Sequence, residues 1–187
     1  MIFGPRQVGK STLAREYAKK KAQINNGRVI EINFFEDNKN KMGIGGRYAG
    51  IFNSSLNPSE ILNRISILKG EDIDVSKDIL LLDEIQDCIS AYESLKNFKE
   101  VFPGFPVMAS GSYLQLFLET GENIRHSVGC TSEIYLHPLT FSEFLHNLNV
   151  PLFEAYKKIS RPDTVIDETA HIKFIEAFEQ YLFTGGM

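Results

Sequence analysis

Apolar and polar positions along the chain switch repeatedly between a strand-like and a helix-like pattern. Met1-Ile2-Phe3 is apolar and runs straight into Gly4-Pro5, as the last part of a buried strand whose beginning is absent. Leu13, Ala14, Tyr17 and Ala18 then recur at helical spacing and predict a helix from about Lys10 to Lys21. Arg28 to Asn33 reads as a strand, whereas Glu36 to Asn57, rich in Asn, Gly and Lys, is expected to be the least ordered stretch. Asn57-Pro58-Ser59-Glu60 is a helix start, followed by Ile61, Leu62, Ile65 and Leu68. Ile79 to Leu82 is a continuous apolar run, the pattern of a strand covered on both faces as in parallel sheets. A helix to about Glu100, a short buried strand at Pro106–Ser110, a short helix at Tyr113–Glu119 and a strand at Glu133–Leu136 follow. Phe141–Leu148 and about Asp167–Phe183 complete the helices. Strands alternating with helices predict the α/β class, a mostly parallel sheet with right-handed crossovers.

Composition narrows this picture without redirecting it. At 187 residues the chain is one domain, with a small appendage at most, on a prior of roughly 150 residues per domain. Hydrophobic content of 43% and 24% charged residues exclude wholesale disorder. No apolar run reaches membrane-spanning length, and the N-terminus lacks a signal-peptide pattern. Two cysteines, Cys88 and Cys130, are too few and too isolated for a disulfide framework or a zinc site, so a cytoplasmic setting is expected. A net charge of −4 argues against holding nucleic acid through overall charge. The one basic run, Lys19-Lys20-Lys21, sits at a helix end, where the helix dipole accounts for it.

Two short motifs carry the chemistry. Gly4-Pro5-Arg6-Gln7-Val8-Gly9-Lys10-Ser11 has two glycines five residues apart, then Lys and Ser, between an apolar strand end and an amphipathic helix. Glycines let the backbone wrap round a phosphate chain with several N–H groups pointing inward, and the helix beginning near Lys10 adds its positive end. In that arrangement Lys10 reaches the β- and γ-phosphates and the Ser11 hydroxyl binds Mg²⁺. The second motif is Asp83-Glu84, directly after the apolar run. At a strand end beside the loop, Asp83 would hold the same Mg²⁺ and Glu84 would polarise a water for attack on the γ-phosphate. The guanine-reading pattern Asn-Lys-x-Asp is missing, since Asn38-Lys39-Asn40-Lys41 lacks the acid and precedes the second motif. The late segment carries few arginines, Arg125 and Arg161, which weakens a small-molecule kinase reading.

An ordered set of segments then resembles a known group: Gly-Pro-Arg-Gln-Val-Gly-Lys-Ser-Thr-Leu (4–13), Leu-Leu-Leu-Asp-Glu-Ile-Gln (80–86), Ala-Ser-Gly-Ser (109–112), Leu-His-Pro-Leu-Thr-Phe-Ser-Glu-Phe-Leu (136–145) and Tyr-Leu-Phe-Thr-Gly-Gly-Met (181–187). They are similar to the AAA+-type ATPase domain of prokaryotic ATP-binding proteins that usually carry a C-terminal domain of unknown function. The resemblance implies a three-layer P-loop NTPase sandwich over 1–187, truncated at both ends, with a helical part at about 141–187. It implies ATP and Mg²⁺ as cofactors. ATP contacts would fall on Gly4, Pro5, Arg6, Gln7, Val8, Gly9, Lys10, Ser11 and Thr12, the metal on Ser11 and Asp83, and catalysis on Glu84, Lys10 and a sensor serine. That sensor is Ser112 or Ser110; Gln86 and Arg6 belong to the pattern without a role that chemistry assigns. The expected partners are ATP, further copies of the chain, and a missing C-terminal part that often looks nuclease-like; nucleic acid enters only through missing parts, and no membrane is expected.

One departure bears on turnover. Where the group commonly shows Gly-Arg, this chain has Gly129-Cys130, and a thiol supplies no fixed positive charge to a transition state. Arg125 or a neighbouring subunit could substitute. Otherwise the chain would be a nucleotide-gated interaction switch with negligible hydrolysis, or the ATPase module of a DNA-handling protein. His126, His137, His146 and His171 show no ligand spacing, and the fourteen phenylalanines are expected mostly in the core.

Overall fold

The computed structural model describes residues 1–39, 46–112, 131–159 and 165–185. They form two compact units, Met1–Leu136 and His137–Met187. The first is built on five strands, β1 (Ile2–Phe3), β2 (Val29–Asn33), β3 (Ile79–Asp83), β4 (Val107–Gly111) and β5 (Ile134–Tyr135). Their order across the sheet is β2-β3-β4-β1-β5, and every pairing is parallel. The chain therefore leaves β1, crosses to the far edge, returns strand by strand to β4 and passes over β1 to reach β5. In such sheets the ligand crevice lies at the carboxyl ends of strands where the winding direction reverses, here around β1.

One face of the sheet carries α1 (Lys10–Ile24), whose buried side is Ala14, Ala18 and Ala22 against Ile2, Ile79 and Leu81. The expected stripe was half right: Ala14 and Ala18 are buried, but Leu13 and Tyr17 are 45% and 58% exposed. Residues four apart share one line on a helix, and the neighbouring line faces outward here. The other face carries α2 (Phe34–Lys39), α3 (Arg47–Ser54), α4 (Pro58–Lys69) and α5 (Ile89–Val101). Ile30, Ile32, Leu80 and Leu82 meet Phe34, Phe52, Ile61, Ile65 and Phe98 there. The sheet thus lies between helical layers, and β3 is buried along its whole length as its unbroken apolar run requires.

In the Asn-, Gly- and Lys-rich segment expected to be the least ordered stretch, the described residues are largely helical, and 40–45 lie outside them. The polar composition of 36–57 conceals Ala49, Ile51 and Phe52, which enter the core from α3, and Phe34 and Phe52 meet edge to face at 5.5 Å. Tertiary burial here outweighs local composition. Phe52→Ala is expected to cost about 3–5 kcal/mol in denaturant unfolding; a loss below 1 kcal/mol would return α3 to the status of a surface loop. Cys88 is buried as a small apolar residue, and burial pushes its thiol up to about 11. The short helix expected at Tyr113–Glu119, together with Arg125, His126 and Cys130, lies outside the described residues.

The second unit contains α6 (Phe141–Leu148), α7 (Val150–Lys157) and α8 (Glu168–Thr184) around Leu145, Leu152 and Ala177. Thr140 and Glu143 close a reciprocal capping box at the start of α6. The α7 helix was not anticipated, although Asn149 capping Leu152 N and Pro151 in the first turn are ordinary start signals. Among the described residues no helix is long and apolar enough to cross a membrane.

Candidate functional site

Strand order brings three carboxyl-terminal ends side by side. β1 ends at Phe3, paired with Gly111 of β4, and β3 beyond it ends at Asp83. The turn from β1 into α1 starts at Gly4, with φ 148°, and a Cβ there would run into the carbonyl oxygen of Leu136. No L side chain fits, so the glycine is required by both backbone angle and space. Gln7 and Gly9 also take positive φ, at 65° and 88°, wrapping the loop back on itself. Gly9 is the N-cap of α1 without a side-chain cap, and no acid occupies the first turn. The first N–H groups of the helix are thus left to an external acceptor, with the positive end of the dipole behind them.

Lys10 is 5% exposed, and its Nζ donates to the Pro5 carbonyl at 2.5 Å across the loop. Burial pushes the ammonium pKa down, Glu84 and Asp83 push it back up, and Arg6 lowers it further. Ser11 Oγ donates to Asp83 Oδ1 at 2.8 Å, so residues 72 apart in sequence meet at one point. Asp83, 1% exposed, accepts three more hydrogen bonds: from Ser110 Oγ on Oδ1 at 2.5 Å, and on Oδ2 from Asn33 Nδ2 at 3.0 Å and Arg15 Nη2 at 3.2 Å. Arg15 also donates from Nε to Glu31 at 2.5 Å. A buried carboxylate is tolerated because each lone pair in use has a donor.

Glu84, the next residue, has φ 52° and ψ 47°, a left-handed conformation uncommon outside glycine. The chain turns there into a short 3₁₀ segment, Ile85–Asp87. Gln86 Nε2 donates to Glu84 Oε2 at 2.6 Å, and Asp87 carries a raised pKa from burial and the neighbouring Glu84 charge. Residues 6, 7 and 9–12 of the loop and helix start, with Phe35, Glu84, Gln86, Asp87 and Ser112, line a common cavity of about 620 Å³.

The structure therefore gathers Lys10, Ser11, Thr12, Asp83, Glu84 and Ser112 into one place, and it separates the two serines left open above. Ser110 is buried and bonded to Asp83, whereas Ser112 lines the cavity. Arg15, Asn33 and Glu31 were missed. A signal for Arg15 existed: it lies four residues after Ser11, on the same helix face. Asn33 is the last residue of β2 and the register partner of Asp83, which no single-strand pattern shows. The donor set suits a small hard cation in its chemistry. Mg²⁺ is commonly held by one carboxylate and a hydroxyl, with phosphate and water completing the shell, so no all-protein cage is needed. Among the described residues no group of three or more His, Cys, Asp or Glu converges.

A parallel α/β sheet with a glycine-turned loop, a buried lysine and an adjoining Asp-Glu pair defines a nucleotide-binding domain of the ATPase type. A family model described as "AAA domain" matches residues 1–145, and the chain belongs to that family. Among solved structures it is similar to the one titled "Structure of C. elegans PCH-2", at 13% identity and a TM-score of 0.40. That match covers 90% of this chain and 41% of the other, so the chain spans about two fifths of that protein's length. No curated protein is matched by the sequence.

Proposed function

We propose that this domain binds ATP with Mg²⁺ and hydrolyses it at the β–γ linkage. The observation that carries the reading is the Ser11–Asp83 contact at 2.8 Å, made where the mouth of the glycine loop meets Glu84 and Lys10 in one cavity. The N–H groups of Gly4 and of residues 6–12 would cradle the phosphates, and Lys10, held by Pro5, would turn its remaining N–H donors to the β- and γ-phosphates. Ser11 and Asp83 would hold Mg²⁺, which when bound neutralises phosphate charge. Glu84 would orient and deprotonate the attacking water, and Ser112 would contact the γ-phosphate or that water from the end of β4. Ser110, Asn33 and Arg15 fix the aim of Asp83.

Lys10→Ala tests the phosphate site. Loss of a charge-assisted contact should weaken ATP binding by about 10- to 100-fold in equilibrium titration. Unchanged affinity would remove the loop from the reading. Chelation of divalent metal by EDTA should abolish turnover, and activity that survives it would detach Ser11 and Asp83 from metal binding.

A further inference from the structure

Gln86 is a cavity residue to which the motif chemistry assigns no task, yet its amide is held at both ends. Nε2 donates to Glu84 Oε2 at 2.6 Å, and Oε1 accepts from the backbone N–H of Ser112 at 3.3 Å. The partners fix which way round the amide sits, because a carboxylate only accepts and a peptide N–H only donates. The amide lies close against the end of β4, where a Cβ on Gly111 would come within 2.6 Å of Gln86 Oε1. The left-handed turn at Glu84 starts the 3₁₀ segment that folds the Gln86 side chain back toward both partners.

We propose that Gln86 is a positioning residue that ties the Glu84 carboxylate to the Ser112 peptide, so that the water-activating group and the end of β4 move as one piece. The inference rests on the hydrolytic reading above for its consequence, but the tie itself does not. Gln86 engages Oε2 of Glu84 and leaves Oε1 to take up a proton. A shift of Ser112, when it meets a γ-phosphate, passes through one amide and two hydrogen bonds to the Glu84 carboxylate in the same cavity. Proximity of this kind matters because misplacing a reacting group by about 1 Å can cost about 100-fold in rate.

The test compares Gln86→Ala and Gln86→Glu, each alone and combined with Glu84→Gln, in turnover at saturating MgATP and in binding of a fluorescent ATP analogue. Both single variants should lower kcat by about 10- to 100-fold and leave the analogue's Kd within about twofold. Gln86→Glu is near-isosteric and still accepts from Ser112 but sets a second carboxyl group against Glu84, so its loss reports the missing donor together with the repulsion between like charges, and Gln86→Ala removes the bond without adding charge. In the Glu84→Gln background Gln86→Ala should cost nothing further, since its effect runs through Glu84. Additive losses, or single variants that keep kcat while Glu84→Gln is inactive, would overturn the proposal. A wild-type chain without Glu84-dependent turnover would instead bring down the hydrolytic reading, and the tie is then read by hydrogen exchange. Glu84→Ala should accelerate exchange at the Ser112 amide with Gln86 present and have no effect in Gln86→Ala; no acceleration in either background would overturn the tie.

Discussion

Glu84→Gln is expected to lower ATP turnover by about 10²- to 10⁴-fold, the range a positioned general base contributes, while ATP affinity stays within about twofold. The substitution is nearly silent structurally. Glutamine has the same length, accepts the bond that Gln86 Nε2 now makes at 2.6 Å, and meets the same backbone demand at φ 52°. What it cannot do is receive a proton from water. Steady-state kinetics beside equilibrium binding separate the two effects, since only an interaction made in the transition state lowers kcat without changing binding. A residual rate within twofold of wild type would remove Glu84 from catalysis and leave a domain that binds nucleotide and works through the bound state.

Asp83 should give the largest combined loss of stability and activity, and the two substitutions that matter differ for a definable reason. Asp83→Ala strands Ser11, Ser110, Asn33 and Arg15, four donors converging on a residue 1% exposed. Serine hydroxyls can turn elsewhere and Arg15 keeps its bond to Glu31, but Asn33 Nδ2 and Arg15 Nη2 each lose their acceptor. A cost of about 2–4 kcal/mol in denaturant unfolding follows, discounted because Arg15 is 38% exposed and can turn toward water. Asp83→Asn should cost about 1 kcal/mol. Its oxygen can keep Arg15 and Asn33 while its amide faces Ser11 and Ser110, whose hydroxyls rotate to accept. Both variants should lose metal-dependent turnover, since a neutral amide is a poor ligand for a hard cation. An Asp83→Ala protein as stable as wild type would show that the four bonds hold nothing together.

Much of the site could be read from the chain because its chemistry is local. The glycine spacing, the lysine and serine that follow, and the acidic pair after Leu82 each need only neighbours in sequence. The α/β class followed from strands alternating with helices, and the unbroken run Ile79–Leu82 marked one strand covered on both faces, since such burial leaves no polar alternation. What escaped is what depends on distant partners. Asn33 reads as an unremarkable strand end until β2 lies beside β3 and pairs it with Asp83. The helix that carries Phe52 into the core is hidden within a polar segment until Phe34 packs against its ring. Ser110 and Ser112, two residues apart, share one strand period, so that only their placement, Ser110 on Asp83 and Ser112 on the cavity, tells them apart.

The alanine face of α1 sets a clearance. Ala14, Ala18 and Ala22 have methyl groups alone to present, so little side-chain volume stands between the helix and the sheet. Ala18 stands eight residues beyond Lys10, about 12 Å along the axis at 1.5 Å per residue. The helix is a stiff rod across that span, and added volume at Ala18 or Ala22 would tilt it about its far end. The loop at the other end would then rise away from Asp83. The height at which phosphates are met is thus governed two and three turns away, by how little the side chains under the rod protrude.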